Sequence, residues 1–121
     1  MGKGFDNLEN IKILEKNDDS VSLTFTVPKE NAYYDGHFPG NPILPAVAQM
    51  EIIVRFADQF FGTGIFVSRI KRMKFNKIIT PGLPLLLRID KKDNAISYTF
   101  SSPDENDTYS SGTFSFHKNG L

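Results

Sequence analysis

The sequence predicts an α+β fold in which one long central helix is wrapped by a curved antiparallel sheet. Three observations carry that expectation. At 121 residues the chain suits one domain rather than two. One stretch, residues 45–61, contains no helix breaker after its first residue and is too apolar to lie on a surface. The segments around it are short, alternate apolar with polar residues, and are punctuated by turn formers. Hydrophobic residues make up 40% of the chain and charged residues 23%, with eleven Phe, so a core can form and intrinsic disorder is excluded. Residues 1–121 are therefore read as a single domain.

The first two strands are expected at about 10–16 and 20–27, around the turn residues Asn17, Asp18 and Asp19. In the second, Val21, Leu23, Phe25 and Val27 alternate with Ser22, Thr24 and Thr26, which gives one dry face. Residues 31–45, NAYYDGHFPGNPILP, carry prolines at 39, 42 and 45. These forbid a helix and restrain the backbone, so a stiff loop is expected. A helix then runs from Pro45 to about Phe61 and stops at Gly62. On a wheel of roughly 100° per residue, Glu51, Arg55, Asp58 and Gln59 share one side, and most of the rest is apolar. Gln49 projects from the apolar face, where a buried amide needs partners.

After Gly62 and Gly64, residues 65–79 read as a long strand whose imperfect alternation implies a bulge or strong bend. Thr80, Pro81 and Gly82 make a turn, and LPLLLRID, AISYTFSS and DTYSSGTFSFH supply further strands. The order is thus two strands, one buried helix, then four strands, or three.

Several function classes drop out. No Cys is present, which excludes disulfides, thiolate zinc sites and a cysteine nucleophile, and two His cannot build an all-histidine metal cage. Nucleotide-binding glycine loops and zinc-protease motifs are missing. No apolar run approaches the roughly 18 residues of a membrane span, so a soluble, cytoplasmic protein is expected. Lys plus Arg number 14, as do Asp plus Glu, which argues against a nucleic-acid-coating or polybasic membrane protein. The balance hides segregation: residues 1–58 hold five basic and nine acidic groups, residues 59–89 six basic and none acidic, and residues 90–121 three and five.

The densest chemical information is GHFPGNPILPAVAQME, residues 36–51. It resembles the active-site signature of the hotdog-fold 3-hydroxyacyl thioester dehydratases, the group that includes the fatty-acid-synthesis dehydratases. Gly36, His37, Phe38, Pro39, Gly40, Pro42 and Pro45 match, and Glu51 lies at the family's spacing, fourteen residues after His37. A second segment, IKRMKFNKIITPG (70–82), resembles the strand after the family's helix, so the likeness covers about residues 30–90. The chain's compact form is similar to the short dehydratases of aryl-polyene gene clusters. One position departs: Ala46 stands where the family has Gly.

The resemblance implies dehydration of a 3-hydroxyacyl thioester, carried by an acyl carrier protein or coenzyme A, to the trans-2-enoyl thioester in fatty-acid or polyene-type acyl synthesis. Such a reaction removes a weakly acidic proton beside the carbonyl and protonates a poor leaving group at the next carbon. An imidazole and a carboxylic acid suit these tasks, and His37 and Glu51 are the assignees. The N–H of Ala46, at a helix N-terminus, is the expected oxyanion contact, with Gly40 and Phe38 helping to place the substrate. The substrate rides on phosphopantetheine, so neither cofactor nor metal is expected. The resemblance also implies a homodimer, or a higher oligomer of dimers, with each site taking His from one subunit and the carboxylate from the other. Arg69, Lys71, Arg72, Lys74 and Lys77, with Arg88 nearby, are the expected dock for an acidic carrier protein.

Plainer readings stand beside these. Glu51 and Arg55, four residues apart, make a common exposed helix pair, and the basic strand is equally well a solvated face. Gln49 reads as a core amide bonded to loop carbonyls in preference to a catalytic group, Tyr33 and Tyr34 as packing over the loop, and His117 as a sheet-packing residue. A hotdog thioesterase and a non-catalytic acyl-binding module are the rival functions. Glu rather than Asp at position 51 leans against an accompanying isomerisation.

Overall fold

The computed structural model describes residues 2–31 and 43–116. His37, Phe38 and Gly40, together with Tyr33, Tyr34 and His117, lie outside the described residues. The elements are α1 (Gly2–Asp6), β1 (Glu9–Lys16), β2 (Ser20–Thr26), α2 (Ala46–Phe61), β3 (Val67–Phe75), β4 (Pro84–Lys92), β5 (Ala95–Ser101) and β6 (Thr108–Phe116). All six strands form one antiparallel sheet in the order β1-β2-β4-β5-β6-β3, with β1 and β3 at its edges.

The alternation in β2 sets the core. Val21, Leu23 and Phe25 pair with Ile89, Leu87 and Leu85 of β4, and Leu87 and Ile89 pair in turn with Phe100 and Tyr98 of β5. Directly opposed residues share a face, so one continuous apolar surface forms, and α2 lies on it with Ile52, Ile53, Phe56 and Ala57 fully buried. Rings run across this contact: Phe25 meets Phe56 at 5.4 Å and Phe100 at 6.0 Å, and Tyr98 meets Phe100 at 5.9 Å and Phe114 at 5.7 Å. Each such pair contributes about 0.5–1.5 kcal/mol beyond its area. Much of the unusual Phe content therefore goes to the helix–sheet seam.

The irregular spacing in β3 has a direct cause. Val67, Ile70, Met73 and Phe75 pair with Phe116, Phe114, Gly112 and Ser110 of β6, with register shifts between Val67 and Arg69 and between Ile70 and Arg72. Each bulge absorbs one residue, Ser68 and then Lys71, so apolar residues three apart reach the same face. Gly112 is required where β3 crosses Tyr98. A Cβ there would sit 2.6 Å from the Arg72 carbonyl oxygen and the Met73 sulfur, and 2.9 Å from the Tyr98 ring.

The structure differs from the sequence expectation in four places. Residues 2–6 form a short helix that the sequence did not announce, held by Phe5 edge-on to Phe56 at 4.7 Å and by Asn31 Nδ2 donating to the Gly4 carbonyl at 2.8 Å. β3 ends at Phe75, not near 79, because the N–H groups of Asn76 and Lys77 both turn to the Tyr109 carbonyl at 2.8 and 3.2 Å. Four strands follow α2, with β3 unbroken despite its bulges. Pro45 is the residue before the helix rather than its first member, with φ −71° and ψ 160°. At the other end Gly62 adopts φ +66° and donates to the Asp58 carbonyl at 2.8 Å, which stops the helix where expected.

Candidate active site

The start of α2 is fixed by backbone and core contacts rather than by a capping side chain. Leu44, buried, donates its N–H to the Ile79 carbonyl at 2.8 Å, and its own carbonyl accepts from Gln49 Nε2 at 3.1 Å. Pro45 then sets the entry angle, and its carbonyl accepts from both Ala48 and Gln49 N–H at 3.1 Å. Helix geometry leaves the N–H of Ala46 and Val47 without an intrahelical acceptor, at the positive end of a sixteen-residue helix. Ala46 is not among the residues with positive φ, so its methyl causes no backbone strain where the related enzymes have Gly. Beside it opens a cleft of about 300 Å³ bordered by Ile43, Ala46, Gln49, Phe75, Lys77 and Ile78.

Glu51 serves a different cleft. Five positions along the helix turn a side chain by roughly 140° relative to Ala46, and Glu51 lies in a space of about 420 Å³ walled by Val47, Met50, Val54, Arg55 and Ile65. Its side chain is 15% exposed; Oε1 lies 3.7 Å from Arg55 Nε, and Oε2 is buried with no hydrogen-bond partner among the described residues. The Arg55 guanidinium is drawn the other way as well, 5.7 Å over the Phe5 ring. Glu51 and Arg55 are thus an i, i+4 pair, but one whose carboxylate is mostly removed from water and half unsatisfied. Val47 and Ile65 are more than half exposed, so an apolar rim surrounds the carboxylate.

Gln49 is 3% exposed and fully engaged: Oε1 accepts from Ser110 Oγ at 2.7 Å while Nε2 holds Leu44. The expected loop carbonyl is present, and Ser110 of β6 is the partner that sequence reasoning did not identify. Behind it the Tyr98 hydroxyl lies 3.4 Å from Ser110 Oγ and 3.7 Å from the Met73 sulfur. Burial raises the Tyr98 pKa above its ordinary value, only partly countered by Ser110, so the phenol stays protonated.

The basic residues do not form one cluster. Arg69, Arg72 and Lys74 stand on the outer face of β3 opposite Ser115, Thr113 and Ser111, and Lys71 occupies a bulge. All four are exposed, and none is in an ion pair among the described residues. Lys77 is paired with Asp107, whose hydrogen bond and charge raise its pKa. Arg88 belongs elsewhere, which corrects its placement beside the others: β4 is separated from β3 by β5 and β6, and Arg88 bonds Glu105 at 2.9 Å. Among the described residues no group of three His, Cys, Asp or Glu could hold a metal ion, and no helix is long and apolar enough to cross a membrane.

This architecture is shared with solved proteins. The structure resembles the dehydratase heterocomplex ApeI:P from Xenorhabdus doucetiae with a TM-score of 0.77 over 90% of this chain and 99% of that one, at 23% identity, a likeness of fold. An uncharacterised protein from Erwinia carotovora subsp. atroseptica gives 0.71 at 28% identity, over 91% and 93% of the two chains. The sheet wrapped on one helix is accordingly the hotdog fold. In sequence, the 3-hydroxyacyl-[acyl-carrier-protein] dehydratase FabZ of Levilactobacillus brevis is 33% identical over 79 residues, 60% of this chain and 53% of that protein, so the match spans about half of the relative's length. The ApeI-like family, described as ApeI dehydratase, matches residues 13–113, from the middle of β1 to near the end of β6. With five of six strands and the whole of α2 inside that match, the chain belongs to the ApeI-like dehydratase family.

Proposed function

We propose that the protein is a cytoplasmic enzyme that removes water from a 3-hydroxyacyl thioester, with His37 as base and Glu51 as acid. The observation that carries this reading is the Glu51 carboxylate: nearly buried, walled by apolar side chains, with one oxygen left without a partner. A buried polar oxygen with no partner is costly unless a ligand or a neighbouring group completes it.

In the reaction, imidazole takes the proton from the carbon beside the thioester carbonyl, and the C3–O bond breaks as the Glu51 carboxyl delivers a proton to the departing hydroxyl. Water leaves, the C2–C3 double bond forms, and the proton on His37 returns Glu51 to its acid form between turnovers. Charge that builds on the thioester oxygen is met by the Ala46 N–H, supported by the α2 dipole. Phe38 and Gly40 hold the acyl group against the loop. Ala46 and Glu51 border separate clefts of one chain. That supports a site assembled from two copies, one giving the loop and helix start, the other its carboxylate. The acyl group arrives on the phosphopantetheine arm of an acyl carrier protein or coenzyme A, with no resident cofactor. An acidic carrier docks on Arg69, Lys71, Arg72 and Lys74, with Lys77 at the edge of the Ala46 cleft.

The test supplies short and medium 3-hydroxyacyl thioesters on both carriers and follows enoyl formation together with free thiol. Enoyl thioester without thiol is expected. Thiol release without enoyl product makes the protein a thioesterase instead.

A further inference from the structure

A buried chain of donors ties the start of α2 to the sheet. The Tyr98 hydroxyl on β5 lies 3.4 Å from Ser110 Oγ on β6, Ser110 donates to Gln49 Oε1 at 2.7 Å, and Gln49 Nε2 donates to the Leu44 carbonyl at 3.1 Å. Tyr98 is 3% exposed, Ser110 0% and Gln49 3%. Because the Ser110 proton goes to Gln49, its oxygen is left to accept from Tyr98, and all three donors point toward Leu44. Such a chain brings polar groups into a core that apolar side chains would fill at lower cost. It ends two residues before Ala46, at a helix start whose Pro45 offers no side-chain cap. The Leu44 N–H is already committed to Ile79, so Gln49 controls the remaining polar group of that residue.

We propose that Gln49, backed by Ser110 and Tyr98, is the positioning residue for the oxyanion donor: by holding the Leu44 carbonyl it fixes the direction of the Ala46 N–H. The proposal rests on the dehydratase reading above. Gln49 borders the same cleft as Ala46, yet its bonds run to the protein, so its effect falls on the donor's aim rather than on substrate affinity. Preorganised donors lose most of their value when displaced by about 1 Å.

The experiment uses the full chain with Gln49→Met, Ser110→Ala and Ser110→Thr. It measures kcat and KM for a 3-hydroxyacyl thioester and amide hydrogen exchange at Leu44 and across 52–56. Gln49→Met is expected to lower kcat about 10- to 100-fold with KM within about threefold, and to speed exchange at Leu44 but not at 52–56. Ser110→Ala should do the same more weakly, and Ser110→Thr, which keeps the hydroxyl, should restore kcat. Unchanged exchange at Leu44 overturns the proposal, as does faster exchange with normal kcat, because the chain is then a packing device only. A large rise in KM at constant kcat also overturns it, since Gln49 then touches substrate. A wild-type chain that dehydrates nothing defeats the dehydratase reading, and the oxyanion role with it. An active wild type with any of the preceding results defeats the positioning role alone.

Discussion

The two ends of the reactive stretch of α2 are built to opposite rules. At residues 44–49 the Leu44 N–H and carbonyl and both ends of the Gln49 amide have partners inside the chain, and Gln49 is nearly inaccessible. At residues 51–55 a carboxylate sits among apolar side chains with one oxygen unpartnered among the described residues and a cation only loosely beside it. The first region is finished by its own fold and serves as a fixed reference. The second is left open, and an open carboxylate in an apolar rim is what a ligand or a second copy is needed to complete.

The largest way to separate the two regions is Glu51→Gln. It should lower kcat by about 10²- to 10⁴-fold in steady-state assays with little change in substrate binding, and leave thermal stability equal or higher, because a poorly paired buried charge is removed. A fall in stability with normal turnover would return Glu51 to the role of a structural partner for Arg55. Next is Ile65→Glu, which places a second carboxylate on the open rim beside the 53% exposed Ile65. Sedimentation should show a shift toward monomer with loss of activity, while far-UV circular dichroism stays unchanged.

The closed region responds in stability instead. Gly112→Ala drives a methyl into the Arg72 carbonyl and the Met73 sulfur, and should cost about 1–3 kcal/mol in denaturant unfolding. The smallest effects belong to exposed charges. Lys77 has its pKa raised by Asp107, so the pair's small contribution is present below the ordinary lysine value of 10.5 and is lost as pH rises past it. Asp104 has its pKa lowered, first by the Ser102 hydroxyl, so its contribution is present above 3.8 and is lost as pH falls below that. Asp107→Asn and Asp104→Asn should each flatten only their own limb of the stability–pH curve.

How legible each region was follows from the range of the interactions that make it. α2 was readable to within a residue because its breakers, Pro45 and Gly62, are local. The dry face of β2 was equally plain, since alternation reports burial directly. The β3 bulge was readable as an irregularity, but not that two bulges keep Val67, Ile70, Met73 and Phe75 on one face, because that depends on register with β6. α1 has five residues, too few to show a period, and its anchor on Phe56 lies far along the chain. Arg88 was misplaced because proximity in sequence says nothing of strand order; β4 pairs with β2 and β5, not with β3. Gln49 stood out as an amide on an apolar face, whereas Ser110 and Tyr98 look like ordinary strand residues until the sheet brings them together. His37 and Glu51 were legible only as members of a spaced motif.

The central claim is that each dehydratase site takes His37 and Glu51 from different copies, and mixing two inactive variants tests it most directly. His37→Ala and Glu51→Gln should each be nearly inactive alone. Unfolded together at equal amounts and refolded, they should form mixed dimers in which one of two sites has both native groups, recovering about a quarter of wild-type enoyl formation. A mixture that forms mixed dimers yet stays as inactive as its parents would contradict the account.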